Sequence, residues 1–303
     1  MKKLIIASGT GFLGQVLINH FKDSVQEIVI FTRGRAYTDP NIKYVHWDAK
    51  TLTGWEAELE GADALINLAG KSVDCRYNEQ NKNEIMASRV DSTAVLGKAI
   101  AACTNPPLHW LNSSTATIYR HSTDKQMDEV HGETGHDFSM NVAKIWERTF
   151  FAADTPKTKK TALRTSIVLG KEGGAFVPLK RLAQVGFGGS QGSGSQFVSW
   201  IHEADFACAV AFVLETEMEG VVNVVSPTPV RNVYFMKALR RAVHTSIGIP
   251  MPTWLLKFGA KIIGTETELV LKSRNVIPQR LTDNGFVFEY GNLEAALKDL
   301  AQK

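Results

Sequence analysis

Short apolar runs alternate with longer stretches of helical periodicity through the first half of the chain. Leu4–Ala7, Glu27–Phe31, Ile42–His46, Ala64–Asn67 and Leu108–Asn112 are runs of four or five residues, mostly apolar, without a polar face. That pattern predicts strands covered on both sides. Between them, Leu13–Phe21, Asn83–Ala102 and Asn141–Ala153 carry apolar positions at helical spacing, and a sixth strand is predicted over Thr161–Val168. Strands alternating with helices in this way predict an α/β fold, a doubly wound parallel sheet with helices on both faces.

The texture changes after Gly170. Residues 171–196 are dense in glycine and serine, and a loop of that length in a compact protein suits a binding loop, a lid or a disordered segment. A helix over Glu203–Leu214, a strand over Val221–Val225 and a largely helical tail follow. The reading is a nucleotide-side domain over 1–170 and a smaller substrate-side domain over 171–303, with residues about 200–225 returning to the sheet.

Composition narrows the function classes. The 303 residues are 44% hydrophobic and 21% charged, with a net charge of +3 and basic residues dispersed rather than blocked. Nucleic acid is not an expected partner. Cys75, Cys103 and Cys208 are odd in number and far apart, which fits a reducing compartment better than a disulfide framework or zinc site. The apolar start stops at Ser8-Gly9, too early for a signal peptide, and no run approaches a membrane span. The expectation is a cytoplasmic protein without a membrane partner.

Gly9-Thr10-Gly11-Phe12-Leu13-Gly14 follows the first strand and opens the first helix. This arrangement is what a dinucleotide pyrophosphate requires. The first glycine makes the tight turn, the second lets backbone approach the phosphates, and the third lets helix and strand pack closely. The second strand then ends Phe31-Thr32-Arg33. An NAD-specific site places a carboxylate there for the ribose 2′-hydroxyl, whereas a guanidinium pairs with a 2′-phosphate. The cofactor expected is therefore NADP(H) in a Rossmann fold, the other reading of Arg33 being a solvated surface arginine. Asp48 either accepts from adenine or is an ordinary turn aspartate. Asn67-Leu68-Ala69-Gly70 ends the fourth predicted strand, either in a small turn that lets backbone reach the cofactor or in an ordinary turn.

Together these residues resemble the extended short-chain dehydrogenase/reductase superfamily. Ser88-Arg89, Trp200-Ile201-His202-Glu203-Ala204-Asp205, Ser226-Pro-Thr-Pro-Val-Arg231-Asn232 and Val276-Ile-Pro-Gln-Arg280 are similar to one atypical branch, usually labelled "epimerase family protein" and sometimes cell-division inhibitor. The resemblance implies cofactor contacts at Gly9–Gly14, Thr32, Arg33, Leu68 and Ala69, and at Glu84 and Arg89. For Arg89 a surface helix arginine is the equal alternative. Ser8 departs from the family, which commonly has glycine there.

The superfamily's acid/base is a tyrosine four residues before a lysine on one helix. Here Lys144 is preceded at that spacing by Met140, and a shifted register gives Ser139 and Ala143. The pair is missing. A substitute is Tyr119, with Ser113 or Ser114 polarising a substrate carbonyl. The alternative is that Tyr119 packs in its loop and the hydroxyls satisfy turn backbone. His202 and Asp205 fit helix capping or loop fixing better than catalysis. His121, His131 and His136 lack metal-ligand spacing, and no metal is expected. Lys180, Arg181, Arg231 and Arg280 are candidates for an anionic substrate.

Three functions follow: an NADP(H)-dependent oxidoreductase on a small carbonyl or hydroxyl compound, a non-catalytic NADP(H) sensor or scaffold, and a nucleotide-sugar epimerase or dehydratase. A homodimer through residues 83–102 and 138–153 is a further expectation, resting on Ile145, Trp146 and Phe150.

Overall fold

The computed structural model describes residues 1–263 and 266–302; Gly264, Thr265 and Lys303 lie outside the described residues. The first half runs β1 (Lys3–Ala7), α1 (Phe12–Phe21), β2 (Glu27–Thr32), β3 (Tyr37–Asp39), β4 (Ile42–His46), β5 (Ala64–Asn67), α2 (Glu79–Ala102), β6 (His109–Thr115), α3 (Phe138–Ala152) and β7 (Lys159–Thr165). The second half adds β8 (Ile167–Leu169), α4 (Phe176–Leu182), β9 (Phe197–Val198), β10 (Trp200–His202), α5 (Glu203–Glu215), β11 (Gly220–Val224), β12 (Val230–Arg231) and α6 (Asn232–Ala242). It ends with α7 (Thr253–Ile263), α8 (Glu268–Leu271), α9 (Gln279–Asp283) and α10 (Leu293–Ala301).

One sheet of eight strands has the order β11-β7-β6-β5-β1-β2-β4-β3, parallel throughout except for the edge strand β3. Side-chain alternation splits each central strand between two cores. Leu4, Ile6, Ile28 and Ile30 pack with Leu17 and Phe21 of α1 and with Phe206 and Val210 of α5. Ile5, Ala7, Val29 and Phe31 pack on the opposite face with Leu96 and Ile100 of α2 and Phe150 of α3. Strands buried on both faces have no use for polar alternation, which is why they read as apolar runs. A third core joins Phe176 of α4, Phe235 and Leu239 of α6, and Leu297 and Leu300 of α10.

The structure revises two sequence expectations. The single strand predicted over Thr161–Val168 breaks at Ser166. β7 stays in the main sheet, whereas β8 leaves it to pair in parallel with β10. Residues 171–196 are not a structureless loop: they contain α4 and continue into a π-helical turn, Ala183–Phe187. The remainder is pinned by Asn232, whose side chain accepts from Gln191 N at 2.8 Å and donates to Gln191 Oε1 at 3.1 Å. Strand β11 pairs in parallel with β7 in the main sheet.

Strand order reverses between β1 and β5, with β2 on one side and β6 on the other. In an open α/β sheet the crevice outside the carboxyl ends at such a point is where a ligand fits.

Candidate functional site

The turn after β1 is shaped by its glycines in three different ways. A Cβ on Gly14 would lie 2.0 Å from the Gly9 carbonyl oxygen, so helix and turn touch there. A Cβ on Gly9 would press on Ile6 and Ile30 at 3.0 Å. At Gly11 a Cβ would meet nothing within 4 Å, and that residue faces open space. Gly11 is also the N-cap of α1 and offers no side-chain cap, leaving first-turn N–H groups for an anion. Thr10 is exposed beside it. Three further glycines, Gly170, Gly173 and Gly174, fit around the ring of Phe12, with Cβ positions 2.2, 2.3 and 2.9 Å from its atoms. The glycine-rich segment thus meets the nucleotide turn directly.

A cleft of about 500 Å³ opens across the switch point. Phe12 and Leu13 border it on one side, and Leu68, Ala69 and Gly70 after β5 form its next edge. The second turn is held by Asn67, whose Oδ1 accepts from Ala69 N at 3.0 Å and whose Nδ2 donates to Asn112 Oδ1 at 2.7 Å. Arg89 reaches the cleft beneath Gly70. Its Nη1 donates to the Lys71 and Ile85 carbonyls at 3.1 and 3.0 Å, and its guanidinium lies 5.1 Å over the Trp146 ring. Burial lowers its pKa to about 10, leaving it cationic at neutral pH.

At the end of β2, Thr32 is buried and accepts from Gly34 N at 3.0 Å, while Arg33 and Arg35 are exposed just beyond. Gly9, Thr10, Gly11, Gly14, Thr32 and Arg33 lie outside the cleft lining, as do Asp48 and Glu84. The Asp48 carboxylate closes its own turn, accepting from Lys50 N and Thr51 N at 2.8 Å and from Thr51 Oγ1 at 2.6 Å. Those bonds, the Thr51 hydroxyl first, pull its pKa down to about 2. Glu84 pairs with Lys71 and accepts from Gln80 at 2.9 Å, on an exposed face of α2.

The floor of the cleft carries hydroxyls. Ser113, Ser114 and Thr115 end β6 and line it with Ser139 of α3. Ser114 Oγ donates to Glu147 Oε1 at 2.5 Å. Glu147 is held bidentately by Arg164, Nε to Oε1 at 2.8 Å and Nη2 to Oε2 at 2.7 Å. Arg164 Nη1 also donates to Tyr119 Oη at 2.8 Å, and the phenol donates to Asn223 Oδ1 at 2.9 Å. Burial opposes the Arg164 charge, but the Glu147 carboxylate more than offsets it and raises the pKa.

This network corrects the expectation that Tyr119 faces a substrate. The residue is fully buried, its proton is committed to Asn223, and it does not line the cleft. Burial, only partly countered by Arg164, raises its pKa and keeps it neutral. Lys144 also turns away, donating to the Gly135 carbonyl at 2.7 Å. Helix α3 presents Ser139, Val142 and Trp146 to the cleft instead. Thr115 and Tyr77 line the cleft as well, and the sequence reading had not marked them. Thr115 Oγ1 accepts from Thr117 N at 3.1 Å, which leaves its hydrogen to donate. Tyr77 has no local motif to betray it; Phe138 packs edge-on at 5.0 Å and Ser139 Oγ lies 3.4 Å from its hydroxyl.

The remaining motifs are structural. His202 caps α5, accepting from Ala204 N at 3.1 Å, and stacks on Tyr290 at 3.9 Å. Asp205 accepts from Glu289 N and Tyr290 N at 2.8 and 3.0 Å. Lys180 lies over the Phe176 ring, Arg181 stays outside the cleft lining, and the Arg231 and Arg280 guanidinium groups donate to backbone carbonyls. Trp146 and Phe150 are buried, leaving Ile145 of the three dimer candidates exposed.

A glycine turn and a second backbone turn flanking the switch point define a dinucleotide-binding Rossmann fold of the extended short-chain dehydrogenase/reductase kind. The chain belongs to the NAD dependent epimerase/dehydratase family, which matches residues 4–225; residues 251–300 match a domain of unknown function, DUF1731. It is 34% identical to an "Epimerase family protein" of Staphylococcus aureus over 307 residues, covering 100% of both chains. A protein of the same name from Staphylococcus haemolyticus is 32% identical, with 99% of each chain covered. The human epimerase family protein SDR39U1, solved with NADPH, superposes with a TM-score of 0.87 at 29% identity over 99% of both chains. The fold extends to a UDP-N-acetylglucosamine 4-epimerase of Bacillus cereus, with a TM-score of 0.76, 18% identity, and 99% and 96% of the chains covered. Among the described residues, no helix is long and apolar enough to cross a membrane.

Proposed function

We propose that this protein is an NADP(H)-dependent oxidoreductase acting on a small carbonyl or hydroxyl compound. The observation that carries the reading is one continuous cleft with the dinucleotide turn at one end and a row of hydroxyls at the other. NADP(H) is favoured over NAD(H) by Arg33, exposed at the end of β2 where an NAD site has a carboxylate. The human relative's structure with NADPH supports the same choice.

The residues fit such a cofactor. Gly11 would leave room for the pyrophosphate, Thr32 and Arg33 would hold the adenosine ribose and its 2′-phosphate, and Leu68–Gly70 and Arg89 would border the nicotinamide half. When bound, the nicotinamide supplies or accepts the hydride. Ser113 and Thr115 would donate to the substrate oxygen. Ser114 would position them rather than donate, because its hydrogen is committed to Glu147, which Arg164 fixes. Three free thiols suit a reducing, cytoplasmic setting.

A stopped assay of NADPH consumption against aldehydes and ketones tests this, run with wild type and Ser113→Ala. Wild type should oxidise NADPH, and Ser113→Ala should lose roughly tenfold to a hundredfold in kcat/KM. The departure of Tyr119 and Lys144 from the cleft favours one second reading, a sensor that binds NADPH and turns nothing over. Tight NADPH binding without consumption across the panel would select it.

A further inference from the structure

We propose that the substrate end of this cleft selects an uncharged carbonyl compound with an apolar or aromatic flank, and is not built for a nucleoside diphosphate. The inference rests on the oxidoreductase reading and gives its substrate class.

Charge comes first. A diphosphate held out of bulk water needs guanidinium, ammonium or unpaired N–H groups aimed at it. Three arginines of the C-terminal half are occupied with the protein's own carbonyls. Arg231 donates to Ser195 O at 2.9 Å and lies 4.9 Å over the Phe197 ring. Arg240 donates to Gly188 O at 2.5 Å, and Arg280 to Glu219 O and Val221 O at 2.7 and 2.5 Å. These bonds tie loops together, and none of the three arginines lines the cleft. The cleft's own cations are Lys71 and Arg89. Lys71 pairs with Glu84 and donates to Asn81 at 2.7 Å, and Arg89 lies against the nucleotide-side turn at Gly70.

Shape and polarity agree. Beyond the cofactor turns, the wall is made by Val73, Tyr77, Phe138, Val142, Trp146 and Ile167. Ile167 is 37% exposed at the start of β8, an apolar side chain left at the edge of a cleft that apolar ligand surface would cover. Against this wall stand uncharged hydroxyls, those of Ser113, Ser114, Thr115 and Ser139 among them. A few convergent donors set in an apolar wall match a ligand with one polar oxygen and a hydrocarbon body.

The test is binding to the NADP⁺-saturated protein, followed by calorimetry and saturation-transfer NMR, with acetophenone, UDP and UDP-glucose as probes. The expected result is saturable acetophenone binding and none of either nucleotide. Ile167→Glu and, separately, Val73→Glu should weaken acetophenone roughly tenfold or more, with NADPH affinity and circular dichroism unchanged. Either nucleotide binding in competition with acetophenone overturns the proposal, as does absence of acetophenone binding. Unchanged acetophenone affinity in a folded glutamate variant overturns it too. Failure of the oxidoreductase reading has a different signature: acetophenone and related ketones bound, with no NADPH consumed.

Discussion

Ser8 sits at φ +62°, between β1 and the glycine turn, with its N–H donating to Phe31 O at 2.8 Å. That left-handed backbone costs any residue with a Cβ, and glycine is the family's common choice there. Ser8→Gly should raise unfolding stability by about 0.5–1 kcal/mol, measured by urea titration; a destabilised variant would mean the hydroxymethyl makes a compensating contact. The neighbouring glycines separate structure from binding. Gly11→Ala should fold with wild-type stability and lose NADPH affinity roughly tenfold or more, because only the ligand approaches that face. Gly14→Ala should cost about 1–3 kcal/mol of stability or more, since its methyl meets the Gly9 carbonyl. Equal stability losses in both would remove Gly11 from the binding role. The buried Glu147–Arg164 pair has side chains only 10% exposed. Glu147→Ala should cost about 3–5 kcal/mol by stranding the guanidinium.

At the scale of elements, the sheet was legible because its strands are buried on both faces and its helices on one. β1, β4 and β5 fall within one residue of the predicted bounds, and β2 extends its strand by one. The break at Ser166 was not legible: Ile167–Leu169 follows without a glycine or proline to mark a turn, and only its pairing with β10 sets it apart. Tyr119 failed differently. Its place in the segment pointed to the cleft, but its side chain turns inward to Asn223, a partner 104 residues away. Long-range hydrogen bonds of this kind leave no local trace. His109, opening β6, adds a pH dependence. Its Nε2 lies 2.8 Å from Thr161 Oγ1, whose hydroxyl donates to Met218 O, so the ring is neutral and donates. Burial, with help from Lys159, lowers its pKa from 6.5 to about 4. The unfolded chain therefore takes up a proton that the folded chain refuses. Stability is full above the unfolded value of 6.5 and is lost as pH falls toward 4, by roughly 3 kcal/mol. Urea unfolding of His109→Asn across that window should give a shallower slope than wild type; parallel curves would contradict the assignment.

The whole molecule joins a nucleotide turn that the sequence displays to a substrate wall that it does not. The nucleotide turn is local, a contiguous hexapeptide, and its geometry follows from three glycines. The substrate wall is assembled from Val73, Tyr77, Phe138, Val142 and Ile167, drawn from three separate segments, and no spacing rule collects them. A homodimer through α2 and α3 would rest on Ile145 and Phe151, 37% and 38% exposed, since Trp146 and Phe150 are spent inside. The proposed function turns on occupation of the cleft by NADP(H). Calorimetric titration of cofactor-stripped protein with NADPH and NADH, beside Arg33→Ala, tests that most directly. NADPH should bind much the tighter of the two, and Arg33→Ala should weaken it by about 1.5–3 kcal/mol while leaving NADH almost unaffected. Equal affinity for both nucleotides, or an Arg33→Ala protein indistinguishable from wild type, would contradict the account.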